Sequence, residues 1–198
     1  MALTKLNNKA VANITTLPVA LGDMVLVSSA TASSSASIEF TSGIDSTYKE
    51  YIFYFVDIHP STDITTFRFQ TSTNGGTSYG VTATTTAFSP YHAESDAFAG
   101  LGNATSWDLA QSTSFQNLSV DIGNQSDESA SGYLHLFNPS STTYVKHFIS
   151  TNQWYKQDNV SYGTHVAGYF NTTSSINAVK FEISSGTFDG KILMFGIN

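Results

Sequence analysis

The stretch YKEYIFYFVDIHPSTDITTFRFQTSTNGGTSYG, residues 48–80, decides the fold because turn residues join two strongly patterned runs in it. Residues 51–58 are apolar at nearly every position, which predicts a central strand with both faces covered. Residues 64–71 alternate, with Phe67 and Phe69 on one face and polar side chains on the other. The stretch therefore predicts a β-hairpin at the centre of an all-β domain.

The composition of the whole chain favours the same fold class. Serine, threonine, asparagine and glycine dominate the polar positions of the 198 residues, and only 12% of the residues are charged. This composition favours strands and turns over helices, and the length suits one domain with a sizeable core. We expect an antiparallel, jelly-roll-like β-sandwich over residues 23–198, preceded by an extended N-terminal arm over residues 1–22.

Alternating or β-branched segments predict roughly ten strands in all. Outside the opening stretch, the predicted strands are residues 24–31, 37–40, 79–86, 115–122, 133–137, 143–150, 163–171, 177–184 and 187–197. The odd-numbered apolar residues of 179–183 are expected to match the odd-numbered apolar residues of 193–197 across the core. Residues 87–114 carry Pro90 and several glycines without a clear period, which predicts a long loop or an excursion that holds a short helical turn.

The charge balance excludes some partners. The chain has 15 acidic and 8 basic residues and a net charge of -7, so it cannot supply a dense patch for phosphate groups. We therefore expect no nucleic-acid partner. No apolar run is long enough for a membrane span, and no cysteine is present for a disulfide or a thiolate metal site. We expect no cofactor.

Two short motifs resemble catalytic signatures but lack their context. Residues 76–80 match the G-x-S-x-G string of a hydrolase nucleophile elbow around Ser78. An elbow needs a following helix, whereas the next residues are β-branched, so a turn is the expected structure. Residues 46–49 spell S-x-x-K but precede a strand, and no partner segment is present. We assign no catalytic residue.

Three histidines, His135, His147 and His165, lie on predicted strands that are expected to be neighbours. They either converge as imidazole ligands of a metal or decorate one face of the sheet. Their spacing carries no ligand signature, so no metal site is assigned.

Acidic residues occur in pairs in two predicted loops, as Asp127 with Glu128 and as Glu94 with Asp96. Carboxylates in loops are ligands for calcium, but the D-x-D-x-D-G pattern of a calcium loop is absent. We expect these side chains to be solvated loop charges.

Two groups of apolar side chains are candidates for partner binding. Aromatic clusters on a β-sandwich bury subunit interfaces or stack on glycan rings, and an interface is the first expectation. The arm either docks on a neighbouring subunit or partner or is a frayed terminus. The candidate aromatics are Tyr91, Phe98, Trp107, Trp154 and Tyr155, and the candidate arm residues are Leu3, Leu6, Val11, Ile14, Leu17 and Pro18.

Four segments together resemble small β-sandwich virion proteins of tailed bacteriophages. They are ALTKLNNKAVANITTLP at residues 2–18, the stretch at residues 46–80, FNPSSTTYVKHF at residues 137–148 and SSGTFDGKILMFGIN at residues 184–198. The resemblance covers most of the chain except residues 87–114. It implies a jelly-roll-like domain, a homotrimer, a location on the virion and an N-terminal segment that attaches to the particle.

The expected function is therefore non-enzymatic: a capsid decoration (cement) protein that binds the major capsid protein and stabilises the head shell. The alternative is a tail fibre or knob module that recognises a host-surface glycan through Trp107, Trp154 or Tyr155. A glycan hydrolase would need two carboxylates flanking a cleft, and the sequence identifies no such pair.

Overall fold

A computed structural model describes residues 24–198, and the predicted arm lies outside this range. In this range the chain forms twelve strands and one short 3-10 helix, η1. The strands are β1 Met24–Ser35, β2 Ser37–Phe40, β3 Glu50–Pro60, β4 Thr65–Ser72, β5 Ala83–Ala93, β6 Ala99–Asn103, β7 Gln116–Ile122, β8 Ala130–Phe137, β9 Lys146–Lys156, β10 Val160–Phe170, β11 Ala178–Ile183 and β12 Phe188–Ile197. The helix η1, Thr105–Trp107, is the only one in residues 24–198, and none in this part is long enough to cross a membrane.

The strands pair antiparallel in two layers. The large sheet has eight strands in the order β1-β12-β3-β8-β9-β10-β5-β6, and the small sheet has four in the order β7-β4-β11-β2. A pairing of Ile122 in β7 with Lys156 in β9 joins the sheets at one corner, so the sandwich is nearly closed like a barrel. The predicted all-β antiparallel class is confirmed, while the jelly-roll-like connectivity and the arm stay predictions.

A cluster of phenylalanine rings between the sheets forms the centre of the core. Phe181 of β11 is fully buried, and its ring lies within 5.1–6.3 Å of five others. Those five are Phe40, Phe53, Phe55, Phe67 and Phe69. Since Phe53 and Phe55 come from the large sheet and the other rings from the small one, this cluster holds the two layers together.

The predicted hairpin of residues 51–58 with residues 64–71 is wrong. Strand β3 lies between β12 and β8 in the large sheet, which confirms its central position, but β4 lies between β11 and β7 in the small sheet. Phe55 and Phe67 face each other across the core, with ring centroids 5.1 Å apart. The turn therefore carries the chain from one layer to the other, which lets each strand bury its apolar face against the opposite sheet.

The prediction for residues 87–114 is wrong as a long loop, although the short helical turn of the alternative is present as η1. Strand β5 continues to Ala93, and β6 pairs beside it as an edge strand. Pro90 is tolerated inside β5 because Ser89 and Pro90 are not paired with β10. The backbone N–H that proline lacks therefore has no hydrogen bond to lose in that ladder. Scattered glycines and aromatics hid the alternation of these two strands.

The predicted orientation of the last strand is reversed. Ile192 and Met194 point into the core and are fully buried, whereas Leu193, Phe195 and Ile197 are on the other side of β12. Strand β12 is apolar at consecutive positions, so its sequence does not show which set faces inward, and a shift of one residue reverses the face.

Lys146 is one of two charged residues, with Glu128, that are buried without a salt bridge in the described part of the chain. Lys146 is fully buried, and its Nζ donates hydrogen bonds to the carbonyl oxygens of Tyr144 at 2.8 Å and Thr172 at 3.1 Å. It forms no salt bridge with any residue in 24–198. Burial lowers the pKa of the Lys146 ammonium below its ordinary value, since the charged form is poorly solvated there.

We predict that Phe181→Ala lowers the free energy of unfolding by about 3–5 kcal/mol, because it leaves a cavity among five rings. The matched control is Phe88→Ala, whose ring is 47% exposed and which should cost less than about 1 kcal/mol. Urea unfolding followed by circular dichroism measures both. Equal losses for the two variants would show that the Phe181 cluster is not the centre of the core.

We predict that the stability difference between the wild type and Lys146→Met rises with pH in alkaline solution. The folded pKa is lowered, so the unfolded chain binds more protons between that value and the pKa of an unfolded lysine. Deprotonation across this window therefore favours the folded wild type and leaves the variant unaffected. Denaturant unfolding at a series of pH values tests this, and a difference that stays flat or falls would contradict it.

Candidate interaction surface

The outer side of the large sheet, which we call the outer face, carries many exposed apolar side chains. It is formed by the side chains of the eight strands that point away from the core. Six large apolar side chains of this sheet are 40–70% exposed to solvent: Met24, Leu26, Val56, Phe88, Leu101 and Ile149. They come from five different strands, β1, β3, β5, β6 and β9, so the exposed apolar surface extends from one edge of the sheet to the other.

Half-buried aromatic rings fill the space between these side chains. The ring of Tyr54 in β3 lies 5.7 Å from Phe195 in β12 and 6.2 Å from Tyr133 in β8. Tyr133 lies 5.1 Å from His135, which stacks on Phe137 at 6.0 Å. This row packs across three neighbouring strands, and it makes the apolar surface continuous rather than a set of isolated residues.

The expectation that both faces of β3 are covered holds only in part. Tyr51, Phe53 and Phe55 are buried against the small sheet. On the other side, Ile52 is 3% exposed but lies outside the core cluster, and Val56 is 40% exposed. Neighbouring outer-face side chains shield Ile52, and no second layer covers this side within residues 24–198.

The outer side of the small sheet has the opposite character. Arg68 Nη2 lies 2.7 Å from Glu182 Oε1, and Lys180 Nζ lies 3.3 Å from Glu182 and 3.6 Å from Glu39. The hydroxyl of Tyr79 donates to Glu39 Oε2 at 3.1 Å, and burial together with this carboxylate raises the pKa of Tyr79 to about 12. Such a charge network suits a surface that faces water.

A groove of about 450 Å³ lies on the outer face across β8, β9, β10 and β5. Its walls include Phe137, His147, Ile149 and Tyr169, with threonines of β5 on one side. No acidic or lysine or arginine side chain lines it. An apolar groove of this kind accepts an apolar side chain of another protein.

Four of the five aromatics singled out from the sequence form one row of contacts, joined by Tyr162, which the sequence did not single out. The row runs Phe98, Tyr91, Tyr162, Trp154 and Trp107, with centroid distances of 6.2, 5.2, 5.5 and 6.4 Å. Trp154 is fully buried, so the interpretation of its ring as an exposed partner-binding or glycan-binding aromatic is wrong. Its inward position on β9 follows from alternation, since Phe148 and Asn152 are buried on the same side.

The fifth aromatic, Tyr155, is half-buried on the outer side of β9. Its hydroxyl donates to Asn159 Oδ1 at 3.2 Å. It lines a groove of about 300 Å³ together with Gln153, Glu94 and Asp127. The structure thus brings one acid from each of the two predicted loops to the same groove. The expectation that these acids are solvated is wrong for Glu128, which is 2% exposed and whose Oε2 accepts a hydrogen bond from the backbone N–H of Gln125 at 2.7 Å.

The three predicted histidines share the outer face but do not converge. His135 Nδ1 pairs with Glu50 Oε1, the ring of His147 lies 6.2 Å from Tyr169, and His165 Nδ1 lies 3.1 Å from Thr151 Oγ1 while its ring stacks on Phe88 at 4.7 Å. Within residues 24–198, no three histidine or acidic side chains lie close enough together to hold a metal ion. The three histidines therefore lie on one face of the sheet as separate side chains, each with its own neighbours.

Ser78 and the apolar residues of the arm are the remaining candidates from the sequence. Ser78 lies in the turn region between β4 and β5, where its Oγ accepts a hydrogen bond from Asn74 Nδ2 at 2.9 Å. Strand β5 follows it, not the helix that an elbow needs. The six apolar arm residues lie outside the described residues.

The outer face is the feature that sequence reasoning missed. Its signal was present in β12, where apolar residues occupy consecutive positions from Ile192 to Phe195, as expected for a strand that is apolar on both sides. Comparisons of the chain with protein-family models, curated proteins and solved structures gave no match.

We predict that the folded protein binds a hydrophobic dye through the outer face. The double variant Phe88→Ser with Ile149→Ser should reduce the fluorescence of bound anilinonaphthalene sulfonate by more than half, because it removes two exposed apolar side chains without adding a charge that attracts the sulfonate. The control is Thr66→Ser on the outer side of β4 in the small sheet. Equal fluorescence from all three proteins would show that the outer face is not an accessible apolar surface.

Proposed function

We propose that this chain is a non-enzymatic structural protein of a tailed-bacteriophage virion: a capsid decoration protein that binds the head shell through the outer face of its large sheet. The observation that supports the proposal is the contrast between the two outer sides of the sandwich. One carries exposed Leu26, Phe88 and Ile149, and the other carries the Arg68–Glu182 ion pair. The resemblance of the sequence to virion proteins is the reason for proposing the head shell as the partner.

The composition of the outer face matches that of a protein–protein interface. The cores of such interfaces are enriched in aromatic residues and depleted in charged ones. The outer face presents Tyr54, Tyr133, Phe137 and Phe195 across three strands. Its charged side chains include Glu50, which is paired with His135, and Lys191, which is exposed in β12. Large exposed apolar patches on soluble domains mark contact sites, because leaving them in water costs free energy.

The symmetry of a virion strengthens a contact of this kind. A homotrimer presents three outer faces to a symmetric shell, and simultaneous contacts raise the overall affinity without any new interaction. In this proposal the arm, residues 1–22, adds a second attachment through its apolar side chains. The consequence for the particle is a shell that resists rupture, since each decoration protein bridges neighbouring subunits.

We predict that the purified protein decorates expanded capsids that lack it, and that two changes weaken this binding independently. Phe88→Lys with Ile149→Lys should weaken binding at least about tenfold, since it places two charges in an apolar contact. Deletion of residues 1–22 should weaken binding while leaving the sandwich folded. Thr66→Lys, on the charged side, should bind as the wild type does. Sedimentation with capsids and electron microscopy of the pellets measure the binding.

Three results would distinguish the alternatives. Decoration at symmetry-related positions that the outer-face variant loses supports the proposal. Attachment to tails or host cells, without capsid binding, would overturn it in favour of a tail fibre or knob module. Normal capsid binding by the outer-face variant would show that another surface makes the contact.

A further inference from the structure

A pocket of about 170 Å³ lies beneath β6, on the inner side of β5. Three aromatic side chains, Tyr91, Trp107 and Tyr162, form one part of its lining. Ser89 and Ser106 contribute hydroxyl-bearing residues to the rest. The pocket belongs to the part of the chain between residues 87 and 114 that the sequence predicted as a loop, and it is separate from the outer face.

The aromatic lining is held in place by its own packing. Tyr91 stacks on Tyr162 with centroids 5.2 Å apart and planes 18° from parallel. Tyr162 and Trp107 both rest on Trp154, at 5.5 and 6.4 Å, and Trp154 is fully buried. Because the buried indole supports both rings from behind, the pocket is preformed and needs little ordering when a ligand enters.

Gly102 keeps the pocket open. It pairs with Ser89 across the β5–β6 ladder, so both residues point to the same side of the sheet. A Cβ atom built on Gly102 would meet no other atom within 4 Å. The backbone of Gly102 does not have a positive φ, so the space is not explained by a turn that requires glycine.

The chemistry of the lining selects a neutral, ring-shaped ligand. No aspartate, glutamate, lysine, arginine or histidine lines the pocket, so it offers no counter-charge to a phosphate, a carboxylate or an ammonium group. Aromatic faces pack against the C–H groups of a sugar ring, and hydroxyl and amide side chains such as Ser106 and Asn103 donate to and accept from its hydroxyl groups. The volume admits one ring rather than a chain of rings.

We propose that this pocket binds a single neutral pyranose, as the terminal residue of a glycan. This activity goes beyond the proposed attachment to a shell and uses residues on the opposite side of β5 from the outer face. Trp107 and Tyr91 supply the stacking surfaces, and Gly102 supplies the room. Affinity for one sugar is weak, and several copies on one particle raise the avidity for a surface coated with the glycan.

The test is a fluorescence titration, because the chain has two tryptophans and both belong to this aromatic row. Neutral hexoses and their methyl glycosides, in both gluco and galacto configurations, are titrated into the wild type. The proposal predicts a saturable change in emission with at least one of them. Gly102→Val should weaken this binding by at least about tenfold, because its side chain fills the pocket without disturbing the rings.

The matched control is Thr66→Val, which introduces the same side chain on the outer side of β4 in the small sheet, away from both the pocket and the outer face. This variant should bind the sugar as the wild type does. Melting curves confirm that both variants are folded. No saturable response to any neutral sugar, or binding that Gly102→Val leaves unchanged, would overturn the proposal. Capsid binding is measured on the same variants and should be unaffected by Gly102→Val, so the two proposals fail separately.

Discussion

A sheet of four strands covers only one side of a sheet of eight. The side that faces the small sheet forms the core, and the other side is left without a covering layer in the described residues. The phenylalanine cluster around Phe181 closes the covered side and holds the layers together. The uncovered side of the large sheet has no layer of its own in residues 24–198, yet its strands remain apolar there. Exposed apolar area of this kind is unfavourable in water, and a partner that buries it gains the corresponding free energy.

The β5–β6 excursion gives the molecule two separate surfaces on one structural element. Phe88 and Leu101 point outward and extend the outer face to the edge of the sheet. Ser89 and Gly102 point inward and open the small pocket beside Tyr91. Alternation along two strands thus separates the proposed interface from the proposed sugar site by the thickness of the sheet, so each surface can be altered without the other.

The sequence predicted the fold class and the positions of most strands, because alternation and turn residues are local signals. It placed β3 correctly as a central strand but paired it with β4, since periodicity identifies the faces of a strand and not its neighbours. It missed β6 because glycines interrupt the pattern. It named Tyr91 and Trp107 as candidates, but only the three-dimensional packing shows that Trp154 is the buried support behind them.

The most direct test of the central claim is hydroxyl-radical footprinting of the protein, free and bound to capsids, with oxidation located by mass spectrometry. Phe88, Ile149 and Leu101 report on the outer face, and Tyr79 reports on the charged side of the small sheet. The account predicts strong protection of the first three on binding and unchanged oxidation of Tyr79. Protection of Tyr79 with continued oxidation of Phe88 and Ile149 would contradict it.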